Sequence, residues 1–171
     1  MNKEQSHADE TRVRILVVDD EPAIRALLAH TLRTVPSYDV LEAGDGTEAQ
    51  ESLRGAPADL VITDLRMPRM GGLELMQWAQ QEGIDASWII LSGQGTFDDA
   101  TRAVHLGAFD FLTKPLSVMD SLLVSVRNAI EQRRLSHERQ RLTDALAERN
   151  ERLNRQVAQL KEACQLLVQQ A

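Results

Sequence analysis

Five short apolar runs, each separated from the next by a stretch with helical spacing, constrain this chain more than any other feature. They are Val13 to Val18, Tyr38 to Leu41, Leu60 to Thr63, Trp88 to Leu91 and Phe109 to Leu112. Each is too short for an ordinary helix and predicts a strand. Val13 to Val18 is β-branched and almost uninterrupted, the mark of a strand buried on both faces. Between the runs, Ile24, Leu27, Leu28 and Leu32 predict a first helix, with Asp20 as N-cap and Pro22 in the first turn. Gly44-Asp45-Gly46 predicts a turn before a short helix carrying Ala49 and Leu53, and Gly55-Ala56-Pro57 ends that helix. Leu73, Met76 and Ala79 mark a third helix after Gly71-Gly72. Thr96 and Asp99 form a capping box opening a fourth, which contains Phe97, Ala100 and Val104 and is closed by Gly107. Strands alternating with helices require parallel crossover units, so the expected fold is α/β: a doubly wound five-stranded parallel sheet with helices on both faces.

In such a sheet the functional crevice lies beyond the carboxyl ends of the strands, which makes the residues just after each strand the ones that matter. Asp19 and Asp20 follow the first run, Asp64 the third, Ser92 the fourth and Lys114 the fifth. Three carboxylates gathered at one sheet edge repel one another unless a cation joins them, and hard oxygen donors select a hard divalent ion. Mg²⁺ is expected, since it takes few protein carboxylates and leaves room for water and a phosphate oxygen. Lys114 supplies a mobile positive charge for a phosphoryl group and the Ser92 hydroxyl a hydrogen bond. Together they make a phosphoryl-transfer site in which Asp64, already ionised at neutral pH, attacks phosphorus without a separate base.

Composition narrows the function classes. The net charge of −7 argues against a nucleic-acid binder, which needs a basic face. No apolar run approaches membrane-spanning length, and the polar start Met1 to Thr11 carries no signal-peptide core, so a disordered leader at 1–11 and a soluble, cytoplasmic protein are expected. The lone Cys164 cannot form a disulfide within one chain.

The segments ILVVDDEP, DLVITDLRMPRMGGLEL, IILSGQG and GAFDFLTKPL together resemble the receiver domain of bacterial two-component response regulators, over roughly Val13 to Arg127. The resemblance implies a flavodoxin-like receiver with Asp64 as phosphoacceptor for a histidine kinase. It further implies Mg²⁺ held by Asp20, Asp64 and the backbone carbonyl of Arg66, with Asp19 acting partly through water. Ser92 and Lys114 would bind the phosphoryl group, and Phe111, otherwise a plain core aromatic, would be the switch residue. Arg66 and Gln94 would flank the entry of water, and the bond before Pro115 would be cis.

From Ser117 to Gln170 there is neither proline nor glycine, so the fifth helix is expected to run on as a rod, giving a receiver at 12–130 and a signalling helix at 131–171. Leu146, Leu153, Leu160 and Leu167 recur every seven residues, and Asn150, Val157 and Cys164 occupy the alternate core positions. That pattern predicts a parallel two-stranded coiled coil, hence a homodimer, with a stutter near Leu142 to Leu146 because Leu135 and Leu142 fall outside the frame. A helix folded back on its own domain is the alternative. The rod would lead to an effector or output domain outside this chain. Two other functions fit the same residues: a stand-alone dimeric adaptor, and a Mg²⁺-dependent phosphohydrolase with an aspartyl nucleophile. The latter would place its nucleophile after the first strand with a second Asp two positions on, whereas Asp19 and Asp20 are adjacent.

Overall fold

The computed structural model describes residues 12–93, 95–114 and 119–169; the expected leader at 1–11, Gln94 and the Pro115 bond lie outside them. In chain order the elements are β1 (Val13–Val18), α1 (Pro22–Arg33), β2 (Tyr38–Ala43), α2 (Gly46–Gly55), β3 (Leu60–Asp64), α3 (Gly72–Gln81), β4 (Ser87–Ser92), α4 (Phe97–His105), β5 (Asp110–Thr113) and α5 (Met119–Gln169). All strand pairs are parallel, in the order β2-β1-β3-β4-β5. The chain thus winds from β1 outward to β2, then back past β1 to β3, and the crevice of such a sheet opens where the winding reverses.

Alternation along the strands builds two cores. Leu16 and Val18 of β1 face one side with Val61, Trp88 and Ile90, under Leu53, Leu73, Met76 and Ala103 of the covering helices. Ile15 and Val17 face the other with Ile62, Ile89 and Leu91, under Leu28 and Leu32 of α1 and Leu122, Val126 and Ala129 of α5. Every residue of β3 is buried, as a central parallel strand demands.

Four strands, β2 through β5, run further than their apolar runs suggest. The ladder continues through Asp64, paired with Leu91, and through Ser92, paired with Thr113. Both polar residues are therefore held by the sheet itself, a more rigid support than a loop.

Local details depart from expectation in three places. Asp20 is not the N-cap of α1: Glu21 occupies that position without a side-chain cap bond, and Asp19 Oδ1 accepts the Glu21 amide at 2.9 Å. Asp45 is more than a turn residue, since its Oδ1 accepts the Thr47 and Glu48 amides and caps α2. In α4 the Thr96–Asp99 capping box is present, but Phe97 is 86% and Val104 67% exposed, and Ala103 is the residue buried against the sheet. A nine-residue helix carries two competing apolar stripes, and contact with the sheet selects the one through Ala103 and Leu106.

The chain divides into two compact units, one ending at Glu131 and the other beginning at Gln132. In the second, the helix continues without a break through Leu142 to Leu146, and Leu135, Leu142, Leu146, Leu153, Val157 and Leu160 are all exposed. The Leu167 side chain lies outside the described residues. No described helix is long and apolar enough to cross a membrane.

Candidate phosphoryl-transfer site

β1, β3, β4 and β5 end at the same edge of the sheet, and each delivers one element of the site. Asp19, directly after β1, is fully buried; Asp64, the last residue of β3, is 7% exposed. Lys114, just after β5, reaches between them. Its Nζ lies 2.8 Å from Asp19 Oδ2 and 2.8 Å from Asp64 Oδ1, with Glu21 Oε1 at 3.8 Å. The Lys114 amide donates to the Ser92 carbonyl at 2.7 Å, so backbone pairing aims the side chain. Burial pulls the Lys114 pKa down, but the hydrogen bonds and charges of Asp19 and Asp64 outweigh it and the net direction is up. The lysine is a fixed cation.

Above this pair of contacts opens a cavity of about 360 Å³ lined by Asp20, Glu21, Asp64, Arg66, Ser92 and Lys114 among others. Asp20 stands at its mouth and is exposed, whereas Asp19 forms part of the floor beneath. The sequence-predicted set is therefore brought together in two layers: Asp20, Asp64, Arg66, Ser92 and Lys114 face the cavity, and Asp19 acts from below through Lys114. Asp64 Oδ2 accepts the Arg66 amide at 3.0 Å. The Arg66 side chain turns away to Asp99 Oδ2 at 3.6 Å, in the first turn of α4. Asp99 is held below the ordinary carboxylate pKa, chiefly by hydrogen bonds from Thr96 and secondarily by Arg66.

Phe111 and Ser92 meet at Gly95. A Cβ placed on Gly95 would lie 2.6 Å from Phe111 Cζ and 2.7 Å from Ser92 Oγ, closer than real Cβ atoms approach anything. Glycine is what allows the ring and the hydroxyl to share this corner.

Three carboxylates, from Asp19, Glu21 and Asp64, surround the Lys114 ammonium and Asp20 adds a fourth to the cavity lining, so the site keeps an excess of negative charge on hard oxygen donors. That donor chemistry fits a divalent cation of the Mg²⁺ kind. Among the described residues no three carboxylate, imidazole or thiol groups stand close enough to enclose a metal by themselves. A cation here would complete its shell with water and with backbone or phosphoryl oxygen, which Mg²⁺ favours. Sequence reasoning missed Glu21, although a third acidic residue directly after Asp19-Asp20 was a signal; it also missed Gly95, which carries no chemistry of its own.

Known proteins share this fold. The family model for the response regulator receiver domain matches residues 15–127. The chain is 42% identical over 108 residues to the response regulator protein PilR of Pseudomonas aeruginosa, covering 63% of this chain and 24% of that one. It is 35% identical over 142 residues to the C4-dicarboxylate transport transcriptional regulatory protein DctD of the same organism, covering 83% and 30%. It thus spans only about a quarter to a third of these relatives' length. Among solved structures, a response regulator receiver domain protein from Clostridium thermocellum superposes with a TM-score of 0.65 at 33% identity, over 72% of this chain and 98% of that one. Vibrio cholerae chemotaxis protein CheY4 does so at 0.64 and 28%, over 69% and 98%. With its sheet order, its site and the match over residues 15–127, the chain belongs to the receiver domains of two-component response regulators.

Proposed function

We propose that Asp64 accepts a phosphoryl group from the phosphohistidine of a histidine kinase, and that the helix beyond the receiver passes the resulting change to an effector. The observation that carries this reading is the Lys114 ammonium, 11% exposed and 2.8 Å from both Asp19 and Asp64, under a cavity shared with Asp20 and Ser92.

An Asp64 oxygen attacks phosphorus as the P–N bond breaks in line; the imidazole leaves with the bonding electron pair and keeps its proton on nitrogen. Asp20, Asp64 and the Arg66 carbonyl would hold Mg²⁺, with Asp19 acting partly through water. Bound there, the ion would supply positive charge to offset that of the phosphoryl oxygens. Lys114 gives up Asp64 as an acceptor and pairs with the phosphoryl group, while remaining near Asp19. Ser92 Oγ turns to donate to a phosphoryl oxygen, which vacates space beside Gly95 and lets the Phe111 ring follow. The protein modifies its own residue, so its chemistry is self-catalysed phosphotransfer and autodephosphorylation rather than turnover of a substrate.

Residues 12–130 form the receiver in this reading and 131–171 the signalling helix. Two copies pair through Leu146, Asn150, Leu153, Val157, Leu160 and Leu167 as a parallel coiled coil, supported by the unpartnered apolar stripe of that helix. The protein works in the cytoplasm with no nucleic acid or membrane of its own, and DctD, named as a transcriptional regulatory protein, makes a transcriptional effector the first to consider. Intact mass after exposure to acetyl phosphate and Mg²⁺ tests the reaction: wild type gains one phosphoryl group and Asp64→Ala gains none.

A further inference from the structure

Arg69 is the one non-glycine with positive φ among the described residues, at 67°. L-residues adopt this left-handed conformation reluctantly, so something must hold it. Its guanidinium forms an ion pair with Asp45 Oδ2, on a carboxylate that is 3% exposed. The other oxygen of Asp45 caps α2 through the Thr47 amide at 2.7 Å and the Glu48 amide at 3.0 Å. Met70, the next residue, lies against Gly46, where an added Cβ would come within 2.6 Å of Met70 Cγ and 2.7 Å of its carbonyl oxygen. The outer end of the loop after β3 is therefore docked on the first turn of α2 at two adjacent points.

The inner end of the same loop is the phosphoacceptor segment. The Gly72 amide donates to the Leu65 carbonyl at 3.1 Å and closes a ring from Leu65 to Gly72. Within it, the Met70 amide donates to Pro68 at 2.7 Å, and a Cβ on Gly71 would sit 2.8 Å from the Leu65 carbonyl oxygen. Arg66 and Arg69 both lie within this ring. Arg66 is the residue whose amide meets Asp64 Oδ2.

We propose that Arg69 and Asp45 are positioning residues for the phosphoryl-transfer site. Their ion pair props the loop against α2 and thereby sets where the Arg66 amide and carbonyl stand beside Asp64. This rests on the reading of the cavity as a Mg²⁺ and phosphoryl site, and deepens it by extending the site to a helix that contributes nothing to the cavity itself.

The test is a Mg²⁺ titration of the full chain, followed by the backbone amide chemical shifts of Asp64, Leu65 and Arg66, with no phosphodonor present. Arg69→Gly removes the guanidinium yet accepts the left-handed φ freely. Asp45→Asn keeps an oxygen for the α2 cap while deleting the charge. Each should raise the apparent Mg²⁺ dissociation constant about 10-fold, the size typical of residues that orient a metal ligand. The double variant should be no weaker than the weaker single, because both remove one pair, and Arg69→Lys should recover part of the loss. Folded single variants that bind Mg²⁺ like wild type, or losses that multiply in the double, overturn the proposal. If Asp45→Asn does not fold, Arg69→Gly and Arg69→Gln decide it. A wild type whose three amides ignore Mg²⁺ removes the underlying reading of the cavity, and the proposal with it.

Discussion

Replacing Lys114 with methionine deletes the ammonium and keeps an unbranched side chain of similar length. Asp19 Oδ2 and Asp64 Oδ1 each lie 2.8 Å from Nζ. At an effective dielectric of about 20, each contact amounts to about 6 kcal/mol of gross attraction. Against this stands a desolvation cost of several kcal/mol per buried ion, since the lysine side chain is nearly enclosed and Asp19 wholly so. Removing one member of such a set strands the others, and the expected net loss of stability is about 3–5 kcal/mol at neutral pH. Guanidinium unfolding in EDTA, followed by fluorescence of the buried tryptophan Trp88, measures it. The pH dependence has a definite sign. The Lys114 pKa is raised above 10.5, so its contribution is complete below that value and lost only as pH climbs through the higher folded pKa. The gap between wild type and Lys114→Met should therefore be constant from about pH 6 to 9 and close only in strong alkali. Mg²⁺ should narrow the gap at neutral pH by standing in for the missing charge. A variant as stable as wild type at pH 7, or a gap that closes by pH 9, would show that burial and not the carboxylates governs Lys114.

Ser92→Ala should leave stability nearly unchanged yet slow labelling of Asp64 by acetyl phosphate on the order of 10-fold, the worth of one hydrogen bond to a charged group; equal rates would remove Ser92 from the site. Gly95→Ala should displace the Phe111 ring and cost about 1–3 kcal/mol in the same unfolding assay. Truncating the ring as well, in Gly95→Ala/Phe111→Ala, should abolish the extra cost of the alanine. Sedimentation should show a dimer that Leu153→Asp with Leu160→Asp converts to monomer; a monomeric wild type would end the coiled-coil proposal.

Fold legibility followed periodicity. The doubly wound sheet was readable because β-branched runs and helical spacing are local patterns, and parallel connectivity follows from their alternation alone. Strand ends were less legible, because Asp64 and Ser92 look like loop residues until their ladder partners Leu91 and Thr113 are known. The outward face of Phe97 and Val104 could not be anticipated, since two stripes on a short helix are equivalent until a sheet is placed beneath one.

The site shows the same division. Residue type and chain position alone pointed to Asp19, Asp20, Asp64, Ser92 and Lys114, because strand-end residues of a parallel sheet must share an edge. Their layering did not follow from type: that Asp19 is floor and Asp20 rim depends on which carboxylate the Lys114 ammonium reaches, across 95 residues of chain. The Arg69–Asp45 pair and the corner shared by Gly95, Ser92 and Phe111 were invisible for a related reason. Local chemistry records what a side chain is able to do, whereas distances between segments remote in sequence are set by the packing of the whole sheet and its helices.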